Sequence, residues 1–157
     1  MWRLLDEVAA LERRVGALYE RLATACAALP PLAEFWHEMA AEERLHALVI
    51  TAAREAFPPS EPLPPGDWTL RLDQIAALVA RAESQAASGI QLAASFDCAE
   101  AIEASELNAV TGLIIGRAGA EFSRLGSLAA HAGVDHHREK VLQARRRYRI
   151  AATPRTT

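Results

Sequence analysis

The chain has few cysteines, few β-branched residues and no apolar run of membrane-spanning length, and each shortage closes off a class of protein. Its two cysteines, Cys26 and Cys98, form no C-x-x-C pair and no disulfide framework, so they read as buried free thiols in a reducing cytoplasm. The opening "MWRLLDEVAALERR" sets acids and arginines where a signal peptide needs an apolar stretch, so neither export nor membrane insertion is expected. A formal net charge of −3 gives no pull toward nucleic acid or an anionic bilayer. β-branched residues are sparse, which argues against a sheet.

What is abundant is alanine, leucine, glutamate and arginine, in helical periodicity almost throughout. With 157 residues, 51% of them apolar and 24% charged, the chain is long enough for one domain with a real core. The expected boundaries are a helical domain over 1–150 and a frayed tail over 151–157. A first helix runs from Trp2 to near Leu29, where Pro30-Pro31 stops it and opens a second that ends near Phe57. The proline-dense "PPSEPLPPG" is a connector, and Asp67 caps a connecting helix that breaks near Gly89. A third long helix covers 90–118 and a fourth 120–150, its basic end "QARRRYRI" suiting the negative pole of the helix. Four long helices with a long join between the second and third match an antiparallel bundle with one crossover.

Charged residues interrupt the apolar stripes of these helices. The first stripe reads Leu5, Val8, Glu12, Val15, Tyr19, Leu22, Cys26; the second Leu32, Trp36, Met39, Glu43, His46, Ile50, Ala53, Phe57; the third Leu92, Phe96, Ala99, Glu103, Glu106, Val110, Leu113. Each interruption lies near mid-helix, so an up-down bundle brings them to one level. Inward ionised carboxylates are expensive and raise one another's pKa, and a divalent or trivalent cation supplies the compensation.

The order Glu12 with Tyr19, Glu43-x-x-His46 in "EERLHA", and Glu103-x-x-Glu106 resembles the di-iron motifs of the rubrerythrin branch of the ferritin-like superfamily. The likeness covers most of the chain and implies a ferritin-like four-helix bundle whose metal ligands are Glu12, Glu43, His46, Glu103 and Glu106, with Tyr19 packed beside them. The fourth helix departs from the pattern. Neither His136 nor His137 in "AGVDHHREKVL" has a glutamate three residues before it. His137, followed by Val141 and Leu142, is the better inward match, and Val134 then stands where the resemblance calls for a carboxylate. Glu106 substitutes for it, or the site holds one ion, or its selectivity differs; Asp135 is poorly aimed. His37, His131 and His136 read as exposed polar positions. "HHREK" lacks the final histidine of an H-x-x-E-H peptidase signature.

The resemblance implies a cytoplasmic non-haem iron oxidoreductase, holding two irons or one, or another divalent metal, that reduces peroxide or O₂ or oxidises ferrous iron. It implies a homodimer, and no rubredoxin-like C-x-x-C site is present, so electrons come from an external donor protein. The rival expectations are a storage or sensing bundle without turnover and a bundle whose polar core only specifies packing.

Overall fold

A computed structural model of the chain describes residues 1–58, 67–121 and 136–150; the side chains of Ala56, Thr69, Glu106 and residues 118–121 are outside that description. The proline-dense connector, the residues of the fourth helix before His136, His131, Val134, Asp135 and the tail over 151–157 therefore lie outside the described residues. Those described form an all-α structure: α1 (Trp2–Ala25), α2 (Pro30–Ala56), α3 (Trp68–Ala87), α4 (Leu92–Glu103), α5 (Glu106–Glu121) and α6 (His137–Arg147), with no strand among them. None of these helices is long and apolar enough to cross a membrane.

Local chemistry sets the ends. α1 stops at Ala25, short of Leu29, and the chain turns so that Pro30 and Pro31 occupy the first helical positions of α2, where no backbone donor is needed. Asp67 caps α3 by accepting from Leu70 N at 3.1 Å. Gly89, at φ 87°, takes the left-handed turn beyond the last residues of α3. The third long helix expected over 90–118 is not continuous. It breaks at Ala104–Ser105, where the Ser105 hydroxyl accepts from Leu107 N at 3.3 Å and starts α5 as a cap does. α5 then runs through Gly119 to Glu121, past the expected end.

Side-chain pairs fix the helix directions. Trp2 Nε1 donates to Phe57 O at 2.7 Å, Arg54 pairs with Asp6 at 2.6 Å and Arg44 with Glu20 at 2.7 Å, so α1 and α2 are antiparallel. Thr111 meets Glu12 and Tyr19 meets Glu103, so α4 and α5 oppose α1. Phe96 stacks on Phe35 at 6.1 Å and Arg117 lies over Phe57 at 5.7 Å, so α4 and α5 run with α2. A parallel pair needs a return along its length, and α3, tied to α1 by Arg14–Glu83 at 2.7 Å, lies within that return. α6 runs against α4, with Arg145 reaching Asp97 at 2.7 Å and Glu100 at 3.1 Å.

The core is made of the expected stripes of α1 and α2, Cys26 excepted, joined by Phe96, Ala99 and Val110, all at 2% exposure or less. Several of the expected core members differ, and Leu92 is only half-buried. Leu113 is 48% exposed, because the break resets the phase of α5 and turns Leu107, Val110, Thr111 and Ile114 inward. Cys26 and Cys98 are free thiols but half-buried rather than buried. At Gly16 the helices approach closely: a Cβ there would meet Ala40 O at 3.3 Å and Glu43 Cβ at 3.4 Å. The missing side chain lets α1 close on α2 at the level of Glu43.

Candidate metal centre

At mid-bundle the polar interruptions converge. Glu12 from α1, Glu43 and His46 from α2, Glu103 from the end of α4 and His137 from the start of α6 are each at most 5% exposed. Glu43 and His46 share one face of α2 because they are one turn apart. Glu43 is the hub. Its Oε2 pairs with His46 Nδ1 at 3.0 Å and its Oε1 with His137 Nδ1 at 3.0 Å. The two imidazoles stack with centroids 4.9 Å apart. One ligand atom from each of Glu43, His46 and His137 fits within 4.8 Å of the others, so this buried group can hold a metal ion.

Glu12 and Glu103 flank the hub. Glu12 Oε1 accepts from the Thr111 hydroxyl, while Oε2, 3.9 Å from His46 Nδ1, has no hydrogen-bond partner. Glu103 Oε1 accepts from the Tyr19 hydroxyl, and Oε2 accepts from Asn108 Nδ2 at 2.8 Å with His137 Nδ1 at 3.5 Å. On its far side His137 Nε2 forms an ion pair with Glu42 Oε2 at 2.8 Å, and Glu42 Oε1 accepts from Lys140.

Burial and charge act oppositely on these groups. Burial, with Glu43 repelling a second negative charge, lifts Glu12 to about 8. Burial also pushes Glu43 up, but hydrogen bonds from His137 and His46 outweigh it and hold this carboxyl well below its usual range. Burial would lower both imidazoles, yet their carboxylate partners raise His46 to about 10 and His137 to about 12. Burial and the neighbouring Glu103 keep the Tyr19 phenol protonated. Near neutral pH, without an ion, the cluster is therefore an ionised Glu43 between two imidazolium rings with a protonated Glu12 beside them.

Of the residues singled out in the sequence, Glu12, Tyr19, Glu43, His46, Glu103 and His137 come together. The side chain of Glu106 lies outside the description, and the Ala104–Ser105 break removes the continuous helix that put it one turn from Glu103 on the same face. His136 is exposed, as is His37, which pairs with Glu20 at 2.8 Å. No protein-family model, curated protein or solved structure matches the chain. The cluster therefore stands on its own geometry.

Sequence reading missed Thr111, Asn108, Glu42 and Lys140. Glu42 adjoins Glu43, and one residue on a helix rotates the side chain by about 100°, here off the inward stripe and toward α6. Thr111 and Asn108 escaped because stripe counting carried the phase of α4 across a break it did not foresee. The signal for Thr111 was a small polar residue beside Val110.

Proposed function

We propose that the protein is a ferritin-like four-helix bundle resembling rubrerythrin, with α3 in its crossover, and that its buried cluster holds iron for oxidoreductase chemistry on peroxide, O₂ or ferrous iron. The observation that carries this reading is the double pairing of Glu43 with two histidines from different helices in a core that also holds Glu12 and Glu103. Glu12 Oε2 meets no hydrogen-bond partner, and burial keeps a proton on this carboxyl near neutral pH, a condition that a cation relieves by taking the proton's place. Nitrogen and carboxylate donors together suit iron among the transition metals.

In this reading Glu43, His46 and His137 would hold the iron, with the buried carboxyl groups of Glu12 and Glu103 beside them. Iron bound there would supply electron exchange with peroxide or O₂, renewed by an external electron-donor protein. The chain's own groups do the rest. The Glu42 carboxylate pairs with His137 at Nε2, 2.8 Å away, on the side of the ring opposite the Nδ1 that faces Glu43. Leu5, Val8, Met39 and Phe96 contribute to the dry core that limits water. Glu12 holds a proton at neutral pH that it can release or take back as charge changes beside it.

A second reading has its own support: Glu43 pairs with both imidazoliums, Glu42 and Glu103 also lie beside His137, and Thr111, Tyr19 and Asn108 donate to the flanking carboxyl groups, so the network can specify packing without an ion. Anaerobic titration with ferrous iron, followed by metal counting on the desalted chain, separates the two. One or two tightly held irons per chain, lost in Glu43→Ala, are expected; a wild-type chain that retains none refutes the metal reading and leaves the packing one.

A further inference from the structure

Beside the cluster, residues of α2 and α6 line a recess of about 490 Å³, within the range of roughly 300–1,000 Å³ in which small molecules are bound. One end of it is the Glu42–Lys140 pair, and Glu42 is the carboxylate that pairs with His137 from outside the cluster. Tyr148, just beyond α6, and Pro31, at the start of α2, lie at the other. Phe35, Met39 and Ala144 give the recess an apolar floor, the last two buried and the first half-buried. The Phe35 ring is held in place, edge-on to Trp36 at 4.8 Å and parallel to Phe96 at 6.1 Å. A floor already fixed in this way costs a ligand little to order.

Charge is unevenly committed around this floor. Glu34, Glu38 and Glu42 stand one turn apart and so share a face of α2. Glu42 is engaged by Lys140 and His137, whereas Glu34 and Glu38 pair with no base among the described residues. Of the two bases in the lining, Lys140 is held by Glu42, and the Arg147 guanidinium lies over the Tyr148 ring at 5.8 Å. An anion entering the recess would therefore face two uncommitted carboxylates. A cation would find them available, with the faces of Phe35 and Tyr148 as further attraction.

We propose that this recess binds a small organic cation, an ammonium group carried on an apolar body, with the ammonium between Glu34 and Glu38 and the body against Phe35, Met39 and Ala144. The two parts of the ligand do different work. Removing the body from water supplies most of the affinity. The carboxylates select the sign of charge, because exposed ion pairs contribute little each. The site needs no iron, since the charges that select the ligand lie outside the cluster. A bound molecule nevertheless sits one carboxylate, Glu42, away from His137.

Probes of one shape and different charge test this on the full-length chain: phenethylammonium, the neutral 2-phenylethanol and the anion 3-phenylpropionate. Each is titrated at low salt while NMR follows the methyl signals of Met39 and Ala144. Phenethylammonium is expected to shift both signals and to bind about tenfold more tightly than the alcohol, two exposed ion pairs each adding several-fold, with the anion weakest. Glu34→Gln together with Glu38→Gln should bring the ammonium down to the level of the alcohol. Both positions are exposed and unpaired among the described residues, so the fold is not at stake. Asp73→Asn removes one exposed charge from α3, away from the recess, and should leave the preference intact. Equal binding of ammonium and alcohol, tightest binding of the anion, or an equal loss in Asp73→Asn overturns the proposal. So does an ammonium that moves neither methyl signal.

Discussion

Glu12 and Glu103 flank the same hub in the same dry core, yet they are held in opposite ways. Glu103 has a donor on each oxygen, Tyr19 on one and Asn108 on the other. Glu12 has Thr111 on one oxygen and nothing on the second, and burial lifts it to about 8. A carboxylate given donors can stay in a core without an ion; one left short must keep a proton or find a cation. The Glu12 side is therefore the half whose state changes most on metal uptake, and the Glu103 side is the preassembled half. Because Glu43 joins them, its loss should have the largest effect. Glu43→Ala leaves two stacked imidazoliums without their shared counter-charge, and a loss of about 3–5 kcal/mol is expected for breaking a buried pair. Denaturant unfolding of the metal-free protein measures it. A loss below about 1 kcal/mol would mean that the rings are not charged.

The next effect sharpens the contrast between the flanks. Glu103→Gln turns an amide N–H₂ toward donors, either Tyr19 or Asn108, and should destabilise the metal-free fold by about 1–3 kcal/mol. Glu12→Gln replaces a group already protonated near neutral pH by its neutral isostere, so its effect at pH 7 should be clearly smaller. Both should weaken metal uptake. If the two substitutions destabilise the metal-free chain equally, the asymmetry is wrong.

That contrast was only partly legible in the sequence. Residues at three-and-four spacing must share a helix face, so Glu12, Tyr19, Glu43 and His46 were placed inward by counting, and they are inward. The preference for His137 over His136 rested on Val141 following it by one turn, and Val141 is fully buried. The break at Ala104–Ser105 was illegible because neither residue is a proline or glycine; a serine that caps looks in sequence like a serine inside a helix. Beyond it the count kept Val110 but drifted from the observed face, so Leu113 was placed in the core and Thr111 passed over. Glu42 was missed for another reason. Its partner, His137, comes from the far end of the chain, and only tertiary packing pairs them.

The pH dependence of the metal-free chain should also separate the flanks. A carboxyl group raised from about 4.3 when unfolded to about 8 in the fold binds its proton more tightly when folded, so stability falls as pH rises across that interval. Glu12→Gln should flatten this decline. The two histidines, raised to about 10 and about 12, contribute fully below about pH 6.5 and lose that contribution as pH rises from there through those higher values, so below about pH 6.5 the decline belongs to Glu12 alone. Glu43, held low, contributes above about pH 4.3 and loses that contribution as acid protonates it. Metal uptake at neutral pH should release protons, from Glu12 and the imidazoliums, so affinity should rise with pH. Urea midpoints across the range, and a pH indicator during metal addition, measure the two trends. A midpoint curve for Glu12→Gln that keeps the wild-type slope between about 5 and 6.5 would assign the decline to another group.

The smallest expected effect comes from the one donor on the Glu12 side. Thr111→Val keeps the side-chain shape and removes the hydroxyl that Glu12 Oε1 accepts from, so the metal-free fold should lose about 0.5–1.5 kcal/mol, near the value of a single hydrogen bond. The direction of its effect on metal is the informative part. With Thr111 present, Oε1 is committed and Glu12 offers an ion one oxygen; without it, both oxygens are bare, the proton is held more tightly, and a cation has more to relieve. Uptake should then become more steeply pH-dependent, being weaker in mild acid and little changed in base. Calorimetric titration with cobalt at several pH values reads this directly. Identical profiles for wild type and Thr111→Val would mean that Glu12 does not exchange its proton for the ion, and that the two flanks differ in hydrogen bonding but not in what they do.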